Sequence, residues 1–291
     1  MMTSARFTFL ALAAAISIAA PFTGCVSHHT REAQAASQAD ENGDLPVKQE
    51  IHKTHQLAPN AQIEISGING AVEIETSNDQ NAQIDIVRSA RSQQTLDDQP
   101  VTLTLEPASL VIRNEHRVSG VWSMLKGAGD VRTRVRLRLP RRVRLEVGGV
   151  NGQFISGAID GPVNVSGVNG KVRIGQASAA SSVSGINGPI EITVAELGKE
   201  GIEMNGINGP ITLRFAGEAN ADLEVNGLNG RFSDEGVNAV MQEKHNNHNF
   251  TARIGSGGSP VSLAGINGSV TLTRAGKTNV AAAPTATTSA K

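Results

Sequence analysis

The chain has no tyrosine, one tryptophan and one cysteine among 291 residues, and aromatic residues make up only 3% of it. A lone cysteine, Cys25, excludes an intramolecular disulfide. So few rings exclude a bulky aromatic core and leave stacking of small residues, which the 31 glycines suit. The formal net charge of −1 gives no bulk pull toward nucleic acid or an acidic partner. Ser-His-Asp arrangements, phosphate-cradling loops after a strand and zinc motifs are also missing. The sequence therefore offers no catalytic residue, no cofactor site and no metal site.

What is present is one phrase, repeated: Gly, then Val, Ile or Leu, then Asn, then Gly. Its asparagines are Asn69, Asn151, Asn169, Asn187, Asn208, Asn229 and Asn267. From Asn151 to Asn229 they fall 18, 18, 21 and 21 residues apart, with Asn69 and Asn267 as flanking copies. Asn-Gly tolerates positive φ and bends a chain between extended runs. Apolar residues alternate on both sides, as in Leu145 and Val147 before Asn151, or Ile211 and Leu213 after Asn208. That period of two is the mark of a half-buried strand.

Asn-Gly also signals hairpins, so a meander or sandwich is the rival arrangement. A near-constant unit with the same apolar slots instead predicts a parallel β-solenoid, each coil burying its face on its neighbours. Crossovers between parallel strands favour a right-handed winding. The asparagines are expected to superimpose into an amide ladder. Calcium-binding β-rolls need acidic turns, absent here, and hexapeptide helices need an apolar residue every six positions.

Residues 1–25 read as an export signal: Arg6, an apolar run from Phe7 to Ala20, then Phe22-Thr23-Gly24-Cys25. The run is short for a membrane span. Its end resembles a bacterial lipobox, with Phe22 where Leu is usual, and would make Cys25 the diacylated first residue. Ordinary cleavage after Ala19 or Ala20 is the alternative. Residues 26–48 are expected to be a disordered tether, with His28 and His29 solvated, and 276–291 a disordered tail. One domain is expected over 49–275: longer strands capping one end at 77–140, regular coils at 141–275. Trp122 is expected to plug the core end or meet a membrane or partner. A decayed copy of the phrase is expected around Asn247, with Phe250 and Ala252 pointing inward.

Three surface features carry candidate chemistry. Alternation puts Arg132, Arg134, Arg136 and Arg138 on one strand face, with Arg142 and Arg144 continuing nearby. Such a row suits phosphate or carboxylate ligands, or is a solvated face paired with acidic neighbours. No base-stacking aromatics accompany it, which argues against nucleic acid. Glu203 and Glu224 occupy equivalent slots and should lie one strand spacing apart, a glycosidase-like pairing without a partner acid or sugar platform. His245 and His248 lack a third metal ligand in sequence and read as loop.

With the lipobox-like start, the strand-Pro-strand passage from Val135 to Val147 and the repeated turns, the chain resembles a bacterial adhesin-like family of β-solenoid envelope proteins, the "GIN" head-domain type. The resemblance spans roughly Val47 to Arg274. It implies export, a parallel β-helix and a non-enzymatic surface or periplasmic role, and supplies no catalytic residues. The combined expectation is an envelope lipoprotein, anchored to the membrane at Cys25, that binds anionic glycan, lipopolysaccharide or another envelope protein. A polysaccharide-acting β-helix enzyme and a periplasmic sensor are the alternatives.

Overall fold

The computed structural model describes residues 45–115, 131–177 and 179–274. The expected signal segment with Cys25, most of the expected tether, Trp122 and the expected tail lie outside the described residues. Everything described belongs to the second of two units, Asp44–Lys291.

The fold is all-β, built on two large, open, mixed sheets that share one apolar core in sandwich-like fashion. The first has ten strands. In spatial order they are β1 (Val47–Gln56), β4 (Asn81–Ala90), β7 (Arg132–Pro140), β3 (Val72–Ser77), β9 (Phe154–Ile159), β11 (Val172–Ala177), β13 (Ile190–Val194), β15 (Ile211–Phe215), β21 (Val270–Arg274) and β17 (Phe232–Glu235). The second has eleven. They run β18 (Ala239–Lys244), β19 (Phe250–Ile254), β16 (Ala221–Asn229), β20 (Ser259–Asn267), β14 (Ile202–Asn208), β12 (Ser181–Asn187), β10 (Val163–Val168), β8 (Val143–Val150), β2 (Ala61–Ser66), β6 (Ser109–Asn114) and β5 (Val101–Glu106).

From β8 to β15 the chain alternates between the sheets, and each strand from β8 to β13 pairs in parallel with the strand two further on. Val163 pairs with Leu145 and Ser181, each 18 residues away, and Ser181 pairs with Ile202, 21 away. The repeat length in sequence is thus the pairing register in space. The three extra residues of the longer unit fall in the loop between β13 and β14, on the side away from the Asn-Gly corners. Val143, Leu145 and Val147 are buried while Arg144 and Glu146 are exposed, as alternation requires. The inward residue before each Asn is buried in all seven copies: Ile68, Val150, Val168, Ile186, Ile207, Leu228 and Ile266.

The glycine after Asn is required because neighbouring corners touch. A Cβ on Gly209 would sit 2.2 Å from the Gly188 carbonyl oxygen, and Gly209 has φ of +157°. No L-residue fits there without moving backbone.

Three sequence expectations are corrected. The copy at Asn267 is not a flank: β20 and β21 insert between β14–β15 and the later-numbered β16–β17. The segment around Asn247 is not a parallel coil either. Phe250 and Ala252 do point inward, but β19 runs antiparallel to β16 and β18 antiparallel to β19. His245 and His248 stand where the phrase has glycine, and a side chain at the second of these positions cannot fit against a neighbouring corner. The chain reverses instead, and the first strand begins at Val47, two residues before the expected domain start.

At the other end, β1, β4 and β7 lie beyond β3, and β6 and β5 beyond β2; the end strands of the first sheet have ten, ten and nine residues, whereas β5 and β6 have six each. A short helix, α1 (Gln93–Asp98), begins at an Ser92 N-cap that accepts from the Thr95 N–H. Buried Arg88 donates to the carbonyls of Leu96 and Gln99 at its far end, and burial pulls that guanidinium below its ordinary value.

Candidate functional site

The asparagines form a continuous ladder. Asn151 Nδ2 donates to Asn69 Oδ1 at 3.1 Å, Asn169 to Asn151 at 3.1 Å, and Asn187 to Asn169 at 3.0 Å. Asn208 donates to Asn187 at 3.1 Å, Asn267 to Asn208 at 3.0 Å, and Asn229 to Asn267 at 3.2 Å. Asn69 ends the row by donating to the Val131 carbonyl. At the Asn229 end the loop before β19 closes over the last strand: Leu228 N–H donates to the His248 carbonyl, and Gly227 N–H to Asn249 Oδ1. His245 and His248 therefore belong to a capping loop. No group of three or more metal-ligating side chains occurs among the described residues.

The arginine row divides. Arg132, Arg134, Arg136 and Arg138 share the outward face of β7, Arg134 being half-buried. Arg142 lies after the strand ends at Pro140, and Arg144 sits on β8 in the other sheet. The six do not form one site, because the chain changes sheets between them. On β7 the guanidinium groups are interleaved with acids: Arg136 pairs with Glu73 at 3.2 Å and lies opposite Asp85, while Arg138 lies opposite Glu75. Next along, the Asp85 carboxylate (2.6 Å) and then Glu50 (3.3 Å) raise the His52 imidazole above its ordinary value. This is a checkerboard of both signs.

The stacked glutamates are also corrected. Glu203 pairs with Ser262, and Ser262 with Glu224, because β20 intervenes. They stand two strand spacings apart, about 9.6 Å, too far for the retaining-type pairing. The outward face of this sheet carries its own ion pairs, Arg113–Glu64 at 2.5 Å and Arg253–Asp222 at 2.9 Å. The bond from Arg253, with help from the Gly258 N–H, holds the Asp222 carboxyl below its ordinary value. Arg144 lines a shallow trough there with Glu146, Glu200 and Glu203, surroundings that do not favour an anion.

Sequence reasoning missed the edge opposite the ladder, where chain passes from the first sheet to the second. A cleft of about 460 Å³ opens between three of these crossings and the turn that joins β3 to β4 within the first sheet. Arg141 and Asp160 form an ion pair at 2.9 Å in its lining, and Arg142 and Asp79, also in the lining, are exposed. Ser77 Oγ and Arg141 Nε are buried in its wall without a hydrogen-bond partner. Backbone bonds tie the loops together: Arg141 N–H to Ser77 O at 3.2 Å, Asp160 N–H to Arg141 O at 2.9 Å, and Leu57 N–H to Gln80 O at 2.9 Å. The turn residues Asn78, Asp79, Asp160, Gly161 and Pro162 are the one signal in the sequence that could have placed loops here. Only pairing brings them together.

No protein-family model matches the chain, and no curated protein matches it. Solved structures similar to it include a "putative cell adhesion protein" from Clostridium sporogenes, at 13% identity and a TM-score of 0.40, covering 79% of this chain and 100% of that one. A "putative adhesin" from Bacteroides fragilis matches at 10% identity and a TM-score of 0.28, covering 80% and 100%. A "putative lipid binding protein" from Parabacteroides distasonis matches at 11% and 0.27, covering 81% and 98%.

Proposed function

We propose that this chain is an exported, non-enzymatic envelope lipoprotein whose two sheets are the sides of a right-handed parallel β-solenoid, acting as an adhesin-like binding or structural element. The observation that carries this reading is the unbroken amide ladder from Asn69 to Asn229, which fixes every coil in the same register. A side chain in any outward slot then recurs at strand spacing of about 4.8 Å, the condition for many weak contacts to act together. Cys25 is the proposed lipid attachment, holding the domain at the membrane.

The outward face of β7 is the proposed partner surface. Its alternating charges suit an envelope protein of complementary pattern better than a uniformly anionic glycan or lipopolysaccharide, which would meet Glu73, Glu75 and Asp85 between the arginines. Two experiments test the reading. Metabolic labelling with an alkynyl fatty acid should mark the wild type and not Cys25→Ala, and Cys25→Ala should leave the membrane fraction; equal labelling and fractionation would remove the anchor. Capture of the purified protein's ligands from envelope extract, alongside glycan and lipid arrays, should fall when Arg132, Arg134, Arg136 and Arg138 are changed to Ser. Unchanged capture would remove the β7 face.

A further inference from the structure

We infer that the cleft on the loop edge is a subsite for an uncharged, hydroxyl-rich sugar unit, an assignment that deepens the adhesin-like reading and rests on it. Its charges balance: Arg141 and Arg142 against Asp79 and Asp160. An anion drawn to the guanidinium groups would meet two carboxylates, and a cation the reverse. A polyol satisfies both, its hydroxyls accepting from guanidinium N–H groups and donating to carboxylate oxygens. The side-chain amides of Asn78 and Gln80, also at the cleft, do both at once.

Two further observations point to a ligand. Ser77 is 8% exposed, and its hydroxyl and the Arg141 Nε–H are buried without partners, although buried polar atoms are ordinarily hydrogen-bonded. Both belong to residues lining the cleft, just beneath the surface that an incoming ligand would meet. Pro59 and Pro140 add apolar surface for the C–H face of a sugar ring, and about 460 Å³ lies within the roughly 300–1,000 Å³ of small-ligand sites. Backbone bonds between the loops pre-form the site, so little ordering cost falls on binding. Loops on a fixed sheet edge are also where binding groups commonly sit.

Saturation-transfer NMR on the purified protein tests the assignment, with glucose and N-acetylglucosamine as neutral probes and glucuronate as the anionic one. Transfer is expected to both neutral sugars and to be weaker for glucuronate. Arg142→Ala and Asp79→Ala alter exposed lining residues and should each weaken binding about tenfold, the effect of one lost charge-assisted hydrogen bond. Transfer to glucuronate alone, transfer to none of the probes, or binding unaltered in both variants would overturn the subsite. Absence of sugar transfer in the wild type, with its envelope capture present, sinks this assignment alone. Absence of envelope capture by the wild type, with its sugar binding present, sinks the multivalent reading instead.

Discussion

The residues that matter most are those whose direction the pairing dictates. Ile207 is 1% exposed, whereas Thr212, five residues on, lies on the outward face of β15 beside Glu191. Ile207→Asp should cost about 4 kcal/mol or more, since a carboxylate would enter a dry stack without a partner. Thr212→Asp should change stability by no more than about 0.5 kcal/mol. Equal urea midpoints for the two variants would mean that the inward assignment is wrong. His52 gives a pH test. Its folded-state value is raised above 6.5, chiefly by its bond to Asp85, so the protonated form favours the folded state. That contribution is complete below the ordinary value and fades as pH climbs through the raised one. An NMR titration of His52 should show the raised value, and Asp85→Asn should bring it back toward 6.5; an unmoved midpoint would discard the pairing.

Among the elements, the amide ladder is the one whose energetics are least obvious, because its members are mostly exposed. Asn187 takes part in two rungs, donating to Asn169 and accepting from Asn208, while Asn229 takes part in one. At about 0.5–1 kcal/mol net for each exposed bond, Asn187→Ala should destabilise by roughly 1–2 kcal/mol and Asn229→Ala by about half that. Chemical denaturation measures both, and a larger loss at Asn229 would show that the row is not an additive spine. The β18–β19 hairpin follows different rules, since Phe250 docks edge-on against Phe232 at 5.0 Å rather than joining a parallel row. It closes one end of the second sheet and leaves Val240 and Met241 exposed on β18.

For the whole molecule, the repeat register makes a prediction that an ordinary sandwich does not share. Removing residues 163–180 deletes one full 18-residue period and should let β8 pair with β12, and β9 with β13, in the register that β10 and β11 now provide. The shortened protein should unfold in one cooperative transition at a modestly lower temperature, because nearest-neighbour contacts carry repeat proteins. Deleting nine residues, 163–171, should abolish folding by sending the next strand to the wrong sheet. Equal tolerance of both deletions, followed by calorimetry, would refute the winding.

The sequence by itself determined the strands, their inward and outward faces, the Asn-Gly corners and the ladder, because each follows from local alternation and from the conformations open to Asn-Gly. It could not determine the order in which corners stack. Every copy offers the same apolar slots and the same amide, so β16 and β20 are interchangeable on local grounds, and Glu203 and Glu224 were misplaced as a result. Nor could it show that Arg142 and Arg144 leave the β7 row, or that Ser77, Asp79, Arg141 and Asp160 meet at one cleft. Those residues are far apart in the chain and share no period, so their meeting is a consequence of which strands pair, a choice made only when the whole core is buried at once.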